Sequence, residues 1–576
     1  MGGMSGARGL TRRGFIRGVG VAAGAAGTFG FTMDPDRDPG PGQPRDGGQP
    51  TRPTKPSGPP RPPRRPPPRP NIVLIVADDM GFSDIGSFGG EIDTPNLDRL
   101  AHSGTRFTGM TTNARCVPTR ASLLTGLYPT QAGLGYVTQN DGSPQYRGRL
   151  SDACVTIGEV LGPSGYHTAL FGKWHVARFR SGIIPATRGF ERSFGPTGGK
   201  SSYFRPSLYR DTQLIGRPSD PDFYLTEAIT RETVDSIRDF AGSGEPFVTL
   251  VTYSAPHFPL QARPEDVARY RDRYRKGWDR IRAERFARQR QTGLLPGVDT
   301  LPPRDPNAPA WRRVSHHPWQ IERMAVYAAQ VAAMDRGVGQ ILDTLEQLRI
   351  RDNTVVMFLS DNGASAERMG HHSAGAAVSL DGDPVLAGNF PRVRPGPGGT
   401  FASYGLAWAN ASNTPFSRYK HWTTEGGLAT PFLVSWPGRL PPGRLDHRLL
   451  HVTDLMPTLV ELCDADYPHS RNGQRVPLPE GRSFADALGS RPAEDWTPSR
   501  RVYWEHEGNR AARHGWWKLV REFAEPWELY DMRTDRAEQH NVAGQHPDLV
   551  ERINTAWGEW AERVRVRPWL PLWQYR

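Results

Sequence analysis

The stretch Asn71-Ile72-Val73-Leu74-Ile75-Val76 limits the choice of fold more than any other part of the chain. After Asn71 it is an unbroken β-branched and aliphatic run, with no alternation of polar residues. A strand of that texture is buried on both faces, which points to a mostly parallel sheet covered by helices on each side. The run ends in Ala77-Asp78-Asp79-Met80-Gly81. Two adjacent carboxylates at the carboxyl end of a buried strand are costly unless they meet a cation. In open α/β sheets that edge is where ligands bind. Carboxylate oxygens suit a hard ion, Ca2+ or Mg2+. One Asp there would read as a solvated turn; two after such a strand read as ligands.

The pattern recurs along the chain. Residues 167–172 form a strand that ends in Lys173-Trp174-His175, and an i, i+2 spacing lets Lys173 and His175 face one side. Residues 246–253 form another, ending in Pro256-His257-Phe258-Pro259. Residues 354–359 form a third, ending in Ser360-Asp361-Asn362-Gly363, a second oxygen-rich strand end. Lys420 precedes Thr424-Glu425-Gly426-Gly427, and 431–436 reads as a further strand. Residues 95–103, 156–161, 226–240 and 321–348 carry helical periodicity, and 105–111 reads as strand. Strands alternating with helices predict an α/β fold with a large, mostly parallel central sheet flanked by helices. From about Trp496 four short strands with turns between them, then a helix over 547–564, predict a small C-terminal antiparallel sheet plus helix. The charged 262–320 segment reads as a surface insertion, and 364–418 as glycine-rich and irregular. His371 and His372 read as surface loop residues.

Cys116-Val117-Pro118-Thr119-Arg120 precedes a helical run over 121–127, so Cys116 is expected at or just before a helix N-terminus. Backbone N–H groups there favour negative charge, and with Arg120 nearby they make an electropositive setting for a thiol. Taken alone, a buried core thiol is the commoner fate of such a cysteine. Cys154 and Cys463 sit in apolar helix-like segments and read as core thiols; three cysteines do not suggest a disulfide framework.

Of the net charge of +12, residues 1–70 carry 12 basic and 4 acidic residues, a net of +8. The folded remainder is close to balanced, and with no recognised motif it gives no support for nucleic-acid binding. Residues 1–33 contain Arg12-Arg13-Gly14-Phe15 followed by a short apolar run, similar to a twin-arginine export signal rather than a membrane span. Residues 34–70 hold 15 prolines in 37 positions and read as an extended Pro/Arg-rich linker. The expected organisation is therefore signal (1–33), linker (34–70), catalytic domain (71–495) and small α+β subdomain (496–576).

Six of these motifs, in order, resemble the sulfatase family: Asp78-Asp79, Cys116-Val117-Pro118-Thr119-Arg120 with Leu124-Thr125-Gly126, Gly172-Lys173-Trp174-His175, Pro256-His257, Ser360-Asp361-Asn362-Gly363, and Lys420 before Glu425-Gly426-Gly427. Trp517-Lys518-Leu519 and Glu528-Leu529-Tyr530-Asp531 are similar to the small domain of arylsulfatases. The resemblance spans about Asn71 to Val564. It implies an alkaline phosphatase-like fold and hydrolysis of sulfate monoesters. It also implies that Cys116 is oxidised to formylglycine (3-oxoalanine), whose hydrate is the nucleophile. One Ca2+ would sit among Asp78, Asp79, Asp361 and Asn362, with the modified Cys116 completing its ligands.

In that resemblance Lys173 and Lys420 bind sulfate oxygens and His257 is the general acid. His175 assists collapse of the intermediate, and Arg120 holds the nucleophile. The implied partners are a small sulfate ester, a formylglycine-generating enzyme and the twin-arginine translocation machinery, for an exported protein with no stable membrane insertion. The residues by themselves give a tetrahedral anion and a hard cation, and leave open a phosphonate monoester or phosphodiester hydrolase, or a catalytically silent ligand-binding envelope protein.

Overall fold

The computed structural model describes residues 69–178, 180–369, 375–378, 382–489 and 494–569, the 375–378 strand as backbone only. The signal (1–33), nearly all of the linker (34–68), His371 and His372 lie outside the described residues. Where description begins, Arg69 is already packed: its guanidinium donates to the Ser164 carbonyl at 2.6 Å and lies over the Tyr166 ring. That end of the linker is part of the fold, not a solvated spacer.

The founding run is the strand Asn71–Ala77, with all seven residues buried. It is central in a ten-stranded sheet. It pairs in parallel with Thr354–Ser360 on one side and Phe247–Thr252 on the other, and the latter pairs in parallel with His167–Gly172. Val73, Ile75 and Ala77 enter one hydrophobic cluster, and Ile72, Leu74 and Val76 enter another on the opposite face. Each face therefore has its own core, which is why the strand shows no polar alternation. The first face is covered by the helices Pro95–His102, Leu225–Ser243 and His317–Gln347. The second is covered by Cys116–Thr125, Ile157–Leu161 and Leu455–Leu462. Ile157–Leu161 starts at a capping box in which Thr156 and Glu159 satisfy each other's orphan N–H groups.

The sheet is mixed towards its flanks. Phe432–Ser435 runs antiparallel to both Thr354–Ser360 and Thr105–Phe107, and Leu208–Arg210 with Gln213–Gly216 closes the other edge antiparallel. The predicted 105–111 strand is two pieces, Thr105–Phe107 and Met110–Thr111, because the chain passes from the large sheet to a two-stranded one. The C-terminal strands Arg501–His506, Asn509–His514, Trp517–Arg521 and Glu528–Asp531 pair antiparallel in sequence order. The helix Pro547–Arg563 packs Ile553, Trp557 and Trp560 against this sheet.

The 262–320 segment is not a surface insertion. Tyr270, Tyr274, Trp278 and Ile281 belong to the first-face core. From the helix Gly277–Gln291, Arg285 enters fully buried. It grips Glu91 with two hydrogen bonds (2.7 and 2.8 Å) and Asp84 Oδ1 with a third (2.6 Å). Asp84 Oδ2 in turn accepts from the Gly81 N–H at 2.8 Å and the Tyr327 hydroxyl at 2.6 Å. The segment's exposed arginines hid this role, since charge density is a poor guide when one charge is buried and paired. Removing one partner of a buried ion pair typically costs about 3–5 kcal/mol. Arg285→Met is therefore expected to lower unfolding free energy in urea by roughly that amount. A loss below about 1 kcal/mol, the range of exposed pairs, would restore the surface reading.

Candidate active site

Four neighbouring parallel strands deliver the site. Register aligns Ala77 with Ser360, Val76 with Thr252, and Gly172 with Thr252. The next residues along the chain, Asp78, Asp361 and Lys173, therefore emerge side by side at one sheet edge, with strands roughly 4.8 Å apart. The loop after Phe247–Thr252 adds His257. The Asp361-Asn362-Gly363 turn also packs against the Glu425-Gly426-Gly427 turn: a Cβ on Gly363 would lie 1.9 Å from the Gly426 carbonyl oxygen. Glycine is needed there because two backbones touch. The Lys420 N–H also donates to the Ala364 carbonyl at 3.1 Å, which ties its loop to that turn and brings Lys420 into the pocket.

The carboxylates are buried and interleaved with cations. Lys173 Nζ donates to Asp78 Oδ2 at 2.5 Å, and Lys420 Nζ to Asp79 Oδ2 at 2.9 Å. Arg120 Nε donates to Asp361 Oδ2 at 2.8 Å, and its other nitrogens reach the Lys173 carbonyl (2.8 Å) and Asp78 Oδ1 (3.9 Å). Asn362 Nδ2 donates to Asp79 Oδ1 at 2.7 Å. Burial pushes Asp78 up to about 8 despite Lys173, with Asp361 and Asp79 adding repulsion. Burial opposes charge on Lys420, but Asp79 and Glu367 outweigh it and hold that ammonium above its ordinary value.

Two oxygens in this array, Asp78 Oδ1 and Asn362 Oδ1, are buried with no hydrogen-bond partner. Orphaned buried acceptors of this kind are rare in proteins, and both belong to the predicted ligand set. Ligand atoms of Asp78, Asp79 and His257 also lie within 4.8 Å of one another. An excess of buried carboxylate with unspent oxygen lone pairs fits a hard divalent cation. Asp361 is committed more heavily: Oδ2 accepts from Arg120, and Oδ1 from the Asp79 N–H at 3.3 Å.

Cys116 is the first residue of the helix Cys116–Thr125, which begins earlier than the 121–127 run predicted, with Arg115 as its extended cap. The thiol is buried, and burial raises its pKa although Lys173 and Lys420 pull it down. Desolvation thus outweighs the electropositive setting read from the helix N-terminus and Arg120.

Lys173 and His175 meet in the pocket, but not by strand alternation. The strand stops at Gly172, and His175 has a left-handed backbone (φ 55°). His175 is kept neutral by burial and by the cations Lys173 and Arg120, and its Nδ1 has no partner. Its ring lies against Gly199, where a Cβ would come within 2.3 Å of Nε2. His257 Nδ1 pairs with the Phe258 carbonyl at 2.5 Å, which leaves Nε2 facing Asp79 (3.3 Å) and Lys420 (3.5 Å). Burial, with Lys173 and Lys420, drives His257 well below its ordinary value.

Sequence reasoning missed the outer ring of charges. Glu367 Oε2 accepts from Lys420 at 3.3 Å, and Glu367 Oε1 contacts His421 at 3.3 Å. Arg115 joins Glu507 at 2.5 Å and His421 Nδ1 at 2.9 Å. Glu507 sits at the turn between Arg501–His506 and Asn509–His514, so the C-terminal sheet reaches the rim of the pocket. No motif marks these residues; each lies in a loop whose path is fixed only by packing. His421, His506 and Glu507 form a second close group of possible ligands. The Arg115 guanidinium already fills it as a protein cation, so a metal there would face repulsion.

Comparison with known proteins matches this geometry. The sulfatase family model covers residues 70–465, more than half of the chain, and the C-terminal model of N-sulphoglucosamine sulphohydrolase covers residues 418–557. An uncharacterized sulfatase of Schizosaccharomyces pombe is 32% identical, over 85% of this chain and 93% of its own length. The arylsulfatase of Klebsiella aerogenes is 34% identical, over 71% of this chain and 90% of its own. The crystal structure of Ps i-CgsB in complex with k-i-k-neocarrahexaose superposes with a TM-score of 0.61 at 25% identity, covering 86% of this chain and 93% of that one. The chain belongs to the sulfatase family and is a sulfuric ester hydrolase.

Proposed function

We propose that the protein is an exported, formylglycine- and Ca2+-dependent hydrolase of the arylsulfatase type, cleaving sulfate monoesters to an alcohol or phenol and inorganic sulfate. The observation that carries this reading is the convergence of Cys116, two lysines, two neutral histidines and two orphaned acceptor oxygens in one buried pocket. The arylsulfatase relative supports the aryl ester class.

Each residue's part follows from its surroundings. An aldehyde at position 116, when hydrated, supplies a diol with one oxygen to attack sulfur and a second to expel sulfate later. Asp78, Asp79, Asp361 and Asn362 would hold a Ca2+, which would supply positive charge for the sulfate group and ease deprotonation of the hydroxyl at position 116. Lys173 has one carboxylate partner and keeps N–H donors for sulfate oxygens, while Lys420, held between Asp79 and Glu367, adds positive charge beside the same anion, whose charge grows in the transition state. Arg120 spans Asp361, Asp78 and the Lys173 carbonyl, so it ties the Cys116 helix to three strand ends. His257 has its Nδ1 committed, so Nε2 is the atom that holds the proton for the leaving oxygen. Arrival of an anionic ester opposes the cations that keep that nitrogen neutral, raising its pKa when a proton is needed. His175 Nδ1, unpartnered beside the same cations, is free to bond the diol at position 116.

Cys116 would meet its modifying enzyme, a formylglycine-generating enzyme, before the fold closes over it. Export through the twin-arginine machinery, which accepts folded protein, is consistent with that order of events. Among the described residues, no helix is long and apolar enough to cross a membrane.

The deciding measurement is the mass of the peptide containing residue 116 from active protein. Loss of the thiol in favour of an aldehyde is expected, and an intact cysteine in fully active enzyme would sink the mechanism. Cys116→Ala is expected to abolish turnover of an aryl sulfate with no drop in melting temperature beyond a few degrees. Chelation of divalent metal is expected to abolish turnover and also to lower the melting temperature. Adding Ca2+ at 100 times its Kd should restore about 2.7 kcal/mol of stability. A melting temperature indifferent to Ca2+ would remove the metal from the Asp78, Asp79, Asp361 and Asn362 set.

A further inference from the structure

Lys200 is a third lysine at this pocket, and it differs from Lys173 and Lys420 in one respect. Those two are bonded to carboxylates of the inner array. Among the described residues, Lys200 Nζ has no ion-pair partner within 4.0 Å. It lies instead over the face of Phe258, 5.0 Å from the ring centroid. Phe258 is itself stacked on His257, with centroids 4.2 Å apart, and Lys420 Nζ lies 5.8 Å from the Phe258 centroid. On its other side Lys200 is anchored by Gly199, which abuts the His175 ring. The residue before it thus abuts one site histidine, and its ammonium lies over the ring stacked on the other.

The charges around it give Lys200 a direction. Cys116 feels Lys173 and Lys420 as its foremost cations. Lys200 feels Glu367 first, then Lys420 and Arg115, and Cys116 only after these. Through Phe258 it sits beside His257, the residue assigned to protonate the leaving oxygen, so the leaving group is the part of the ester within its reach. Burial depresses its pKa in spite of Glu367. A partly desolvated cation without a hydrogen-bonded counter-ion is a cost that binding of an anion would relieve.

We propose that Lys200 is a specificity-determining residue that binds an anionic substituent, a carboxylate or a second sulfate, on the leaving group of the sulfate ester. This rests on the sulfate ester hydrolase reading and extends it from the sulfate to the other half of the substrate. The Phe258 face and the Lys200 ammonium together would hold a planar or ring-like leaving group carrying negative charge within reach of Nζ.

Paired substrates test it: 4-carboxyphenyl sulfate and the uncharged 4-acetylphenyl sulfate, compared by kcat/KM in the wild-type protein, Lys200→Met and Lys200→Arg. The wild type is expected to prefer the carboxylate ester, with a preference that shrinks as salt is raised. Lys200→Met is expected to cut that preference about tenfold, a typical worth for one charge-assisted contact, and Lys200→Arg to keep most of it. Equal losses on both esters would mean that Lys200 acts on the sulfate or only on packing, and would overturn the proposal. So would a wild type without preference, or a Met variant that keeps it. Failure of the underlying reading is distinguishable, because the wild-type protein would then turn over neither ester.

Discussion

Everything at this site depends on keeping three like charges together away from water. Asp78, Asp79 and Asp361 are all buried at the ends of adjacent strands. Carboxylates so placed repel one another and lose hydration, and the upward push on Asp78 records both effects. Lys173, Lys420 and Arg120 each neutralise one of them, but they come from three different parts of the chain: a strand end, a loop and a helix. The carboxylate cluster therefore acts as the organiser that draws those elements to one point. A divalent cation at the orphaned oxygens would complete the neutralisation and leave the lysines' remaining donors for substrate.

That constraint reaches outward through the structure. The Asp78 loop is held from behind by Asp84, which Arg285 and Tyr327 grip from two helices. On the far side, Glu425 in the Glu425-Gly426-Gly427 turn is bonded to Lys518 at 2.9 Å. Lys518 is fully buried and belongs to the C-terminal sheet. The groups of the pocket are thus set by a scaffold in which most of the cost of buried charge is offset by pairing.

How much of this was legible in the sequence follows from which physical signals are local. The strands were readable because burial on both faces leaves an unbroken apolar run, as in Ile72 to Val76. The inner site was readable because its residues sit directly after such runs, so Asp78, Lys173 and Asp361 carried their own address. The direction of Phe432–Ser435 was not readable, since an antiparallel strand buried on both faces has the same texture as a parallel one. Arg285 was misjudged because a buried guanidinium and a solvated one look alike in a sequence. Glu367, Arg115, Lys200 and Glu507 were missed because only long-range packing brings their loops to the rim. The pKa of Cys116 turned on desolvation, a property of the finished fold that no neighbour in sequence reveals.

The tie between the Cys116 helix and the C-terminal sheet has a consequence in time. Arg115 and Glu507 are separated by 392 positions, as are Thr112 and Trp504, which join through the indole N–H at 2.8 Å. At synthesis rates of about 5–20 residues per second, the chain carrying Cys116 waits roughly 20–80 s before those contacts exist. Lys518 is missing throughout that interval and Lys420 for most of it, so the strand-end carboxylates lack part of their neutralising charge. The order of the chain therefore leaves the segment around residue 116 untied from the C-terminal sheet until those last strands are made.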